Sequence, residues 1–430
     1  MDIWSFIWLE EPNIRFVVLG TMLLGASSAL IGCFSYLRKK ALVGDAIAHA
    51  ILPGICFGFM LSETKNPFYL ISGAFISGWA SILIIDFITK HSKLKADAAI
   101  GIVLSVFFGL GVLLLTHIQQ SGNAAQAGLD KYLFGKAASM TPYDVSVFGG
   151  IALGLLLLVL ICYKGFKIVS FNTDYAQTLG LPTKLLSVLI STATVLSVAV
   201  GIQAVGVVLM AALLITPASA ARFWTNKLST MLLLAALMGA IAGWIGSLVS
   251  FLAPNMPTGP WIVISLTLMV GLAILGSPIN GVYGKWLKKQ RNKHLITHEN
   301  VLKVFYQLGE QEQNFFRSRG KLSILQKRNF GTSTLKKGLT ILLAKKWIKR
   351  DQNNYVLTNE GFLEARRIVR LHRLWELFLN KRLGLQPDHV HPDAEVIEHL
   401  ITPELEEILL KDLNMPALDP HNKEIPYDKH

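Results

Sequence analysis

The sequence predicts an all-α polytopic membrane protein of about nine transmembrane helices, followed by a winged-helix domain and a second helical domain. Charge partition is the first observation behind this. Residues 1–284 hold 15 of the 41 Lys and Arg and ten of the 28 Asp and Glu, and the last 146 residues hold 26 and 18. The second is a series of apolar runs, each roughly 17–25 residues long, enough to cross a bilayer. The third is a change of pattern past Lys285, where eight of the eleven histidines lie and short amphipathic segments replace the long runs.

Taken in order, the spans fall near 15–37, 42–61, 67–89, 97–117, 145–164, 185–200, 202–221, 229–252 and 261–277, with one long run split at Val200-Gly201. The connections holding Arg38-Lys39-Lys40, Lys90 to Lys95, 164–184, Arg222 to Lys227 and Lys285 to Lys293 alternate with basic-poor ones. Putting the basic ones inside places the N-terminus outside and the hydrophilic tail in the cytoplasm. Residues 118–144 then form an outer loop that dips toward the membrane. Cys33, Cys56 and Cys162 lie in apolar runs and read as small buried hydrophobes. With no GxxxxGK[ST] loop, the chain does not read as an ATPase by itself.

Within ALVGDAIAHAILPG (residues 41–54), Asp45 and His49 are four apart, on one face of a helix, with Pro53 a turn further on. Ionisable groups in hydrocarbon are costly and usually face a partner, a cavity or a substrate. Other polar residues of this half read more simply: His91 and His117 as solvated, Asp86 as paired with Lys90. Asp45 and His49 offer two choices, hydrogen bonds that lock neighbouring helices or transient coordination of a divalent cation. One carboxylate oxygen and one imidazole nitrogen make half a site, which a second copy would complete as an O2N2 set suited to Mn, Fe or Zn.

After a basic linker over 285–296, residues 297–368 read as a winged helix-turn-helix: KLSILQKR, the turn NFGTS, TLKKGLTILLAKKWIKR, then a wing from Trp347 to Leu357. The basic second helix makes Thr334, Lys336 and Lys337 DNA-binding candidates. Residues 369–430 read as a second helical domain with candidate metal ligands. His372 and Glu376 are four apart, His391 follows, and Glu395, Glu398 and His399 form ExxEH, so carboxylates and imidazoles share helix faces as divalent ligands would.

RKKALVGDAIAHAILPGI, GNAAQAGLDKYLFGKAASMTPYD, FNTDYAQTLGLPTKLL and QAVGVVLMAALLITPASAAR closely resemble, in order, segments of the ATP-binding-cassette permeases for zinc, manganese and iron. The resemblance covers residues 10–285. It implies a bacterial plasma-membrane permease, paired with a second copy or a sister permease. It also implies metal received from an extracytoplasmic binding protein and drive from a separate cytoplasmic ATPase. Asp45 and His49 match the family's pathway ligands, and Asp174, Tyr175, Ala176 and Gly180 fall in its ATPase-docking segment.

From Thr297 to Pro426 the tail resembles the iron- and manganese-dependent repressors of the diphtheria toxin repressor family, through HRLWE, the ExxEH helix and DPHNKEIP. That resemblance implies a metal-binding and dimerisation domain over 369–430, with Glu395, Glu398 and His399 as primary-site ligands and His372, Glu376 and His391 as those of a neighbouring site. Two departures stand out: Asn300 and Lys303 replace acidic ligands of the manganese branch, and GTSTLKKGLTIL departs from the usual helix-turn-helix wording. The expectation is therefore an importer of divalent metal, with manganese preferred. No cofactor is permanently bound, and a regulatory divalent ion is expected in the tail. Three roles stand open for that tail: cytoplasmic metal sensor, membrane-held DNA-binding regulator, or structural remnant. For the whole chain, the competing class is a proton-coupled secondary transporter using Asp45 and His49 as its relay.

Overall fold

The computed structural model describes residues 3–64, 66–120, 135, 137, 140–253, 256–383 and 403–427. The chain divides into two compact units, Met1–Lys285 and Trp286–His430.

Among the described residues the regular elements of the first unit are all helices: α1 (Ile3–Ile7), α2 (Pro12–Leu37), α3 (Ala41–Ser62), α4 (Pro67–His91), α5 (Ala96–Gln120), α6 (Pro142–Phe171), α7 (Thr173–Thr178), α8 (Thr183–Val205), α9 (Val207–Trp224), α10 (Leu228–Leu252) and α11 (Thr258–Gly276). Among the described residues eight helices are long and apolar enough to cross a membrane, and α9 adds a shorter apolar helix over Leu209–Trp224. Sequence and structure differ at the break between α8 and α9. It falls at Gly206, where φ is +88°, a conformation open to glycine but strained for residues with a Cβ. Gly201 instead lies inside α8, where a Cβ would sit 2.3 Å from Met210 Sδ. One glycine turns the chain and the other admits a neighbour.

Helix contacts follow the small residues, as expected where lipid gives no hydrophobic drive for association. α3 packs chiefly on α4 and α5, and a Cβ on Gly54 of α3 would lie 2.1 Å from the Gly73 carbonyl oxygen of α4. Hydroxyls tie α2 to its neighbours: Thr21 and Ser247 are 3.0 Å apart, and Ser197 donates to Ser28 at 3.1 Å. At the start of α6, Thr141 and Asp144 form a capping box. Gln203 Nε2 of α8 donates to the buried Asp144 Oδ1 at 3.1 Å. Most of the expected outer loop, residues 121–134 included, lies outside the described residues.

The second unit contains α12 (Val282–Gln311) beyond its first turn, α13 (Lys321–Lys327), α14 (Thr332–Ala344), β1 (Ile348–Asp351), β2 (Asn354–Leu357), α15 (Asn359–Leu383) and α16 (Pro403–Asp412). β1 and β2 form an antiparallel hairpin, Ile348 opposite Leu357 and Asp351 opposite Asn354. Val301, Phe305, Ile324, Leu335, Leu342, Ile348 and Ile368 share one core, so helix, helix and wing close as a winged helix. Residues 285–296, expected as a linker, are helical and belong to α12. Past Gly284 that stretch has neither Gly nor Pro, and its Lys, Gln, Arg and Leu residues sustain a helix.

Candidate metal centre

α3 sets Asp45 and His49 on one face. His49 Nε2 lies 3.6 Å from Asp45 Oδ1, beyond hydrogen-bond range. The imidazole meets the Phe108 ring of α5 edge-to-face, centroids 5.0 Å apart. Its Nδ1 is buried without a hydrogen-bond partner. Such an orphaned nitrogen is costly unless something else takes its lone pair or proton. Pro53 adds a second opening. It has no N–H to give the carbonyl four residues back, which is that of His49. The pair therefore stands as an incompletely satisfied carboxylate–imidazole set inside a span.

Below it, at the first turn of α3, a cavity of about 380 Å³ is lined by Lys39, Lys40, Leu42, Val43, Asp86 and Asp97, among others. Asp86 pairs with Lys40 at 3.7 Å. This corrects the expected Lys90 partner, because the turn between α2 and α3 brings Lys40 to the end of α4. Beside it, burial pushes the Arg38 guanidinium down, an effect opposed by Asp86. Among the described residues no group of three or more His, Cys, Asp or Glu side chains converges to hold a metal. Asp45 and His49 alone are two ligands of a set.

On α7, Asn172 caps the helix by accepting from the Tyr175 N–H at 2.9 Å, and Gly180, φ +72°, turns the chain after it. Tyr175 and Leu179 are exposed, as is Asp174. Ala176 is buried in the core formed with Phe166 and Leu186. Ala176 thus seats the expected docking segment on the helix bundle, beside the exposed Asp174 and Tyr175.

In the second unit, His372 Nε2 lies 3.0 Å from Glu376 Oε1 with both side chains buried. The other expected tail ligands, His391, Glu395, Glu398 and His399, lie outside the described residues. His372 and Glu376 suit a divalent ion as two of its ligands, one imidazole and one carboxylate. Asn300 Oδ1 accepts from Arg328 at 3.2 Å. Lys303 is buried, and a charged ammonium has no lone pair to offer a cation. On α14, Lys336 and Lys337 are exposed and Thr334 is half-buried, while Leu335, Leu339 and Leu342 face the core.

Sequence reasoning missed the charge network beside this pair. Arg373 donates to both carboxylate oxygens of Glu310, at 2.9 and 2.7 Å, and lies 3.6 Å from the buried Asp419. Arg370 pairs with Glu406 of α16 at 2.7 Å. Only the alternation of Arg and apolar residues in EARRIVRLHRLWE hinted that one face of α15 carries buried charge.

Residues 10–277 match the family model described as ABC 3 transport family. Residues 358–427 match that of the iron dependent repressor, metal binding and dimerisation domain. A manganese transport system membrane protein, MntC, of Bacillus subtilis (strain 168) is 37% identical over 395 residues, covering 90% of each chain. An alignment that long includes most of the tail. A zinc transport system membrane protein, TroC, of Treponema pallidum (strain Nichols) is 43% identical over 282 residues, 65% of this chain and 95% of that one. Among solved structures, PsaBC from Streptococcus pneumoniae in complex with Fab is similar with TM-score 0.60 and 29% identity, over 67% of this chain and 100% of that one. The chain belongs to the ABC 3 transport family, as a multi-pass membrane permease whose tail carries a repressor-type metal-binding and dimerisation domain.

Proposed function

We propose that the permease carries Mn²⁺ inward along a path on which Asp45 and His49 are ligands, with Fe²⁺ and Zn²⁺ as the chemically neighbouring cargoes. The observation that carries this reading is the pair in α3: a carboxylate 3.6 Å from an imidazole whose second nitrogen is buried without a partner. A locking hydrogen bond would satisfy both groups, whereas a passing cation needs them available. Oxygen and nitrogen donors suit Mn²⁺, Fe²⁺ or Zn²⁺. The relatives named for manganese and zinc support the same range. Two ligands from one chain leave the set half-filled, and a second copy or a sister permease supplies the rest.

In this family ATP hydrolysis belongs to a separate subunit. Membership in an ATP-binding-cassette family also displaces the proton-coupled alternative. On our reading that ATPase docks on α7 through Asp174 and Tyr175, and an extracytoplasmic binding protein delivers the metal. The tail lies in the cytoplasm. Regulatory divalent metal in the tail would be held by Glu395, Glu398 and His399 at a primary site and by His372, Glu376 and His391 at a neighbouring one, where it would supply positive charge to the carboxylates. The exposed Lys336 and Lys337 favour one further role for the tail, contact with DNA phosphates.

The test is Mn²⁺ uptake into vesicles holding the full chain, its ATPase and its binding protein, compared with Asp45→Asn combined with His49→Gln. Uptake should collapse while the variant still stimulates with its ATPase. Undiminished uptake in the double variant would overturn the ligand assignment.

A further inference from the structure

The junction between the last span and α12 carries a feature that neither transport nor metal binding uses. Residues 277–281 do not form a loose link. Ser277 donates through its hydroxyl to the Phe223 carbonyl. Asn280 Nδ2 donates to the Arg222 carbonyl and to Asn226 Oδ1, both at 3.2 Å. The Gly284 N–H returns to the Ser277 carbonyl at 3.2 Å. A Cβ at Gly284 would sit 2.1 Å from the Pro278 carbonyl oxygen, so glycine is what lets the first turn of α12 lie against the turn that follows α11. The start of α12 is thereby fixed where the chain leaves the bilayer.

From that fixed start, Ile279, Val282, Tyr283, Trp286 and Leu287 are all exposed. At about 100° per residue, Val282, Trp286, Tyr283 and Leu287 share one arc of roughly 140° on α12. Lys289 and Lys285 fill the adjoining arc, Lys288 lies beyond them, and all three are exposed. Gly281 and Gly284, on the side opposite the apolar arc, are buried. In water, two aromatic rings and two aliphatic side chains on one face are unfavourable. Beside a bilayer the same arrangement is favourable: aromatic rings settle at headgroup level, and lysines beside them attract acidic headgroups.

We propose that the first two turns of α12 form an interfacial anchor: Val282, Tyr283, Trp286 and Leu287 enter the lipid surface at the end of α11, and Lys285, Lys288 and Lys289 bind acidic phospholipid headgroups. Three observations converge on lipid as the occupant. The stripe starts six residues after the last span ends, its flank is uniformly basic, and its origin is hydrogen-bonded to the span ends. α12 runs on to Gln311, so lipid composition acts directly on the helix that opens the second unit.

The test uses the full chain in liposomes, comparing wild type with Trp286→Phe so that the difference emission is that of Trp286. Lipids brominated high on their acyl chains should remove most of that emission. Lys288→Gln with Lys289→Gln should restore much of it in vesicles containing phosphatidylglycerol, with a smaller change in pure phosphatidylcholine. Indifference of the Trp286 emission to brominated lipid would overturn the proposal. So would quenching by aqueous acrylamide that disappears only when the ATPase is added, since the stripe would then be a protein contact.

Discussion

In α3, Asp45 and His49 stand 3.6 Å apart with 39% and 18% of their side chains exposed; in α15, Glu376 and His372 stand 3.0 Å apart with 3% and 5% exposed. Both are an acid and an imidazole one helical turn apart, and their surroundings differ. The α3 pair borders an aromatic ring, an orphaned nitrogen and a proline that withholds a donor. The α15 pair is closed in and flanked by Arg370 and Arg373, each anchored to a carboxylate on another helix. An ion that must arrive and leave suits the first setting, and a group that must stay put suits the second.

Breaking the α3 pair should give the largest effect. Asp45→Ala with His49→Ala should lower Mn²⁺ uptake by roughly 100-fold, the upper end of what even supporting groups of a metal site contribute. The protein should nearly keep its melting behaviour in detergent, because the one edge-to-face contact of His49 with Phe108 of α5 is weak. Unfolding of the variant during purification would instead make the pair structural, and the contrast with α15 would vanish.

The opposite pattern is expected in the tail. Glu376→Ala leaves His372 buried beside an emptied site and should destabilise the second unit by about 3 kcal/mol. Hydrogen exchange of the α15 amides in the full chain would report it as lost protection. Uptake at limiting metal should persist. If protection is unchanged, the 3.0 Å contact contributes little, and the tail pair is as open as the one in α3.

Legibility in the sequence followed the same division. The spans were legible because hydropathy is local: eight of the nine predicted runs fall on one helix each to within a residue, and 202–221 straddles the break at Gly206. Asp45 and His49 were legible because charge is rare in hydrocarbon. The turn at Gly206 was not: apolar residues continue past both Gly201 and Gly206 with only Gln203 between them, and nothing in the letters says which glycine takes a positive φ. Arg373 was not legible either, since its partner Glu310 lies 63 positions away and basic residues are ordinary in a soluble domain. The burial of Ala176 was not legible, because a six-residue helix is too short for its period to be read.

A smaller perturbation sharpens the α3 side. Phe108→Ala removes the ring edge from His49 without touching a ligand. Edge-to-face contacts contribute about 1 kcal/mol, so the metal concentration for half-maximal uptake should rise by about 5-fold at unchanged maximal rate. A fall in maximal rate alone would mean that Phe108 governs the movement of α5 and not the poise of the imidazole.

The smallest effect belongs to a third pair, which tests whether separation or burial decides. Arg382 donates to both carboxylate oxygens of Asp412, at 2.6 and 3.0 Å, the nearer contact shorter than either imidazole pair. Distance alone would make it the strongest. Yet both groups are solvated, and exposed ion pairs are weak because water and salt screen them while two long side chains lose freedom. The hydrogen bond from Arg382 holds the Asp412 carboxyl below the usual carboxylate range. Any stability it lends is therefore present above that range and lost as pH falls through the depressed value. Arg382→Ala should leave α15 protection at neutral pH almost unchanged, and the small difference from wild type should disappear under acid. A loss as large as that of Glu376→Ala would show that separation outranks burial here, and the distinction drawn between α3 and α15 would need another cause.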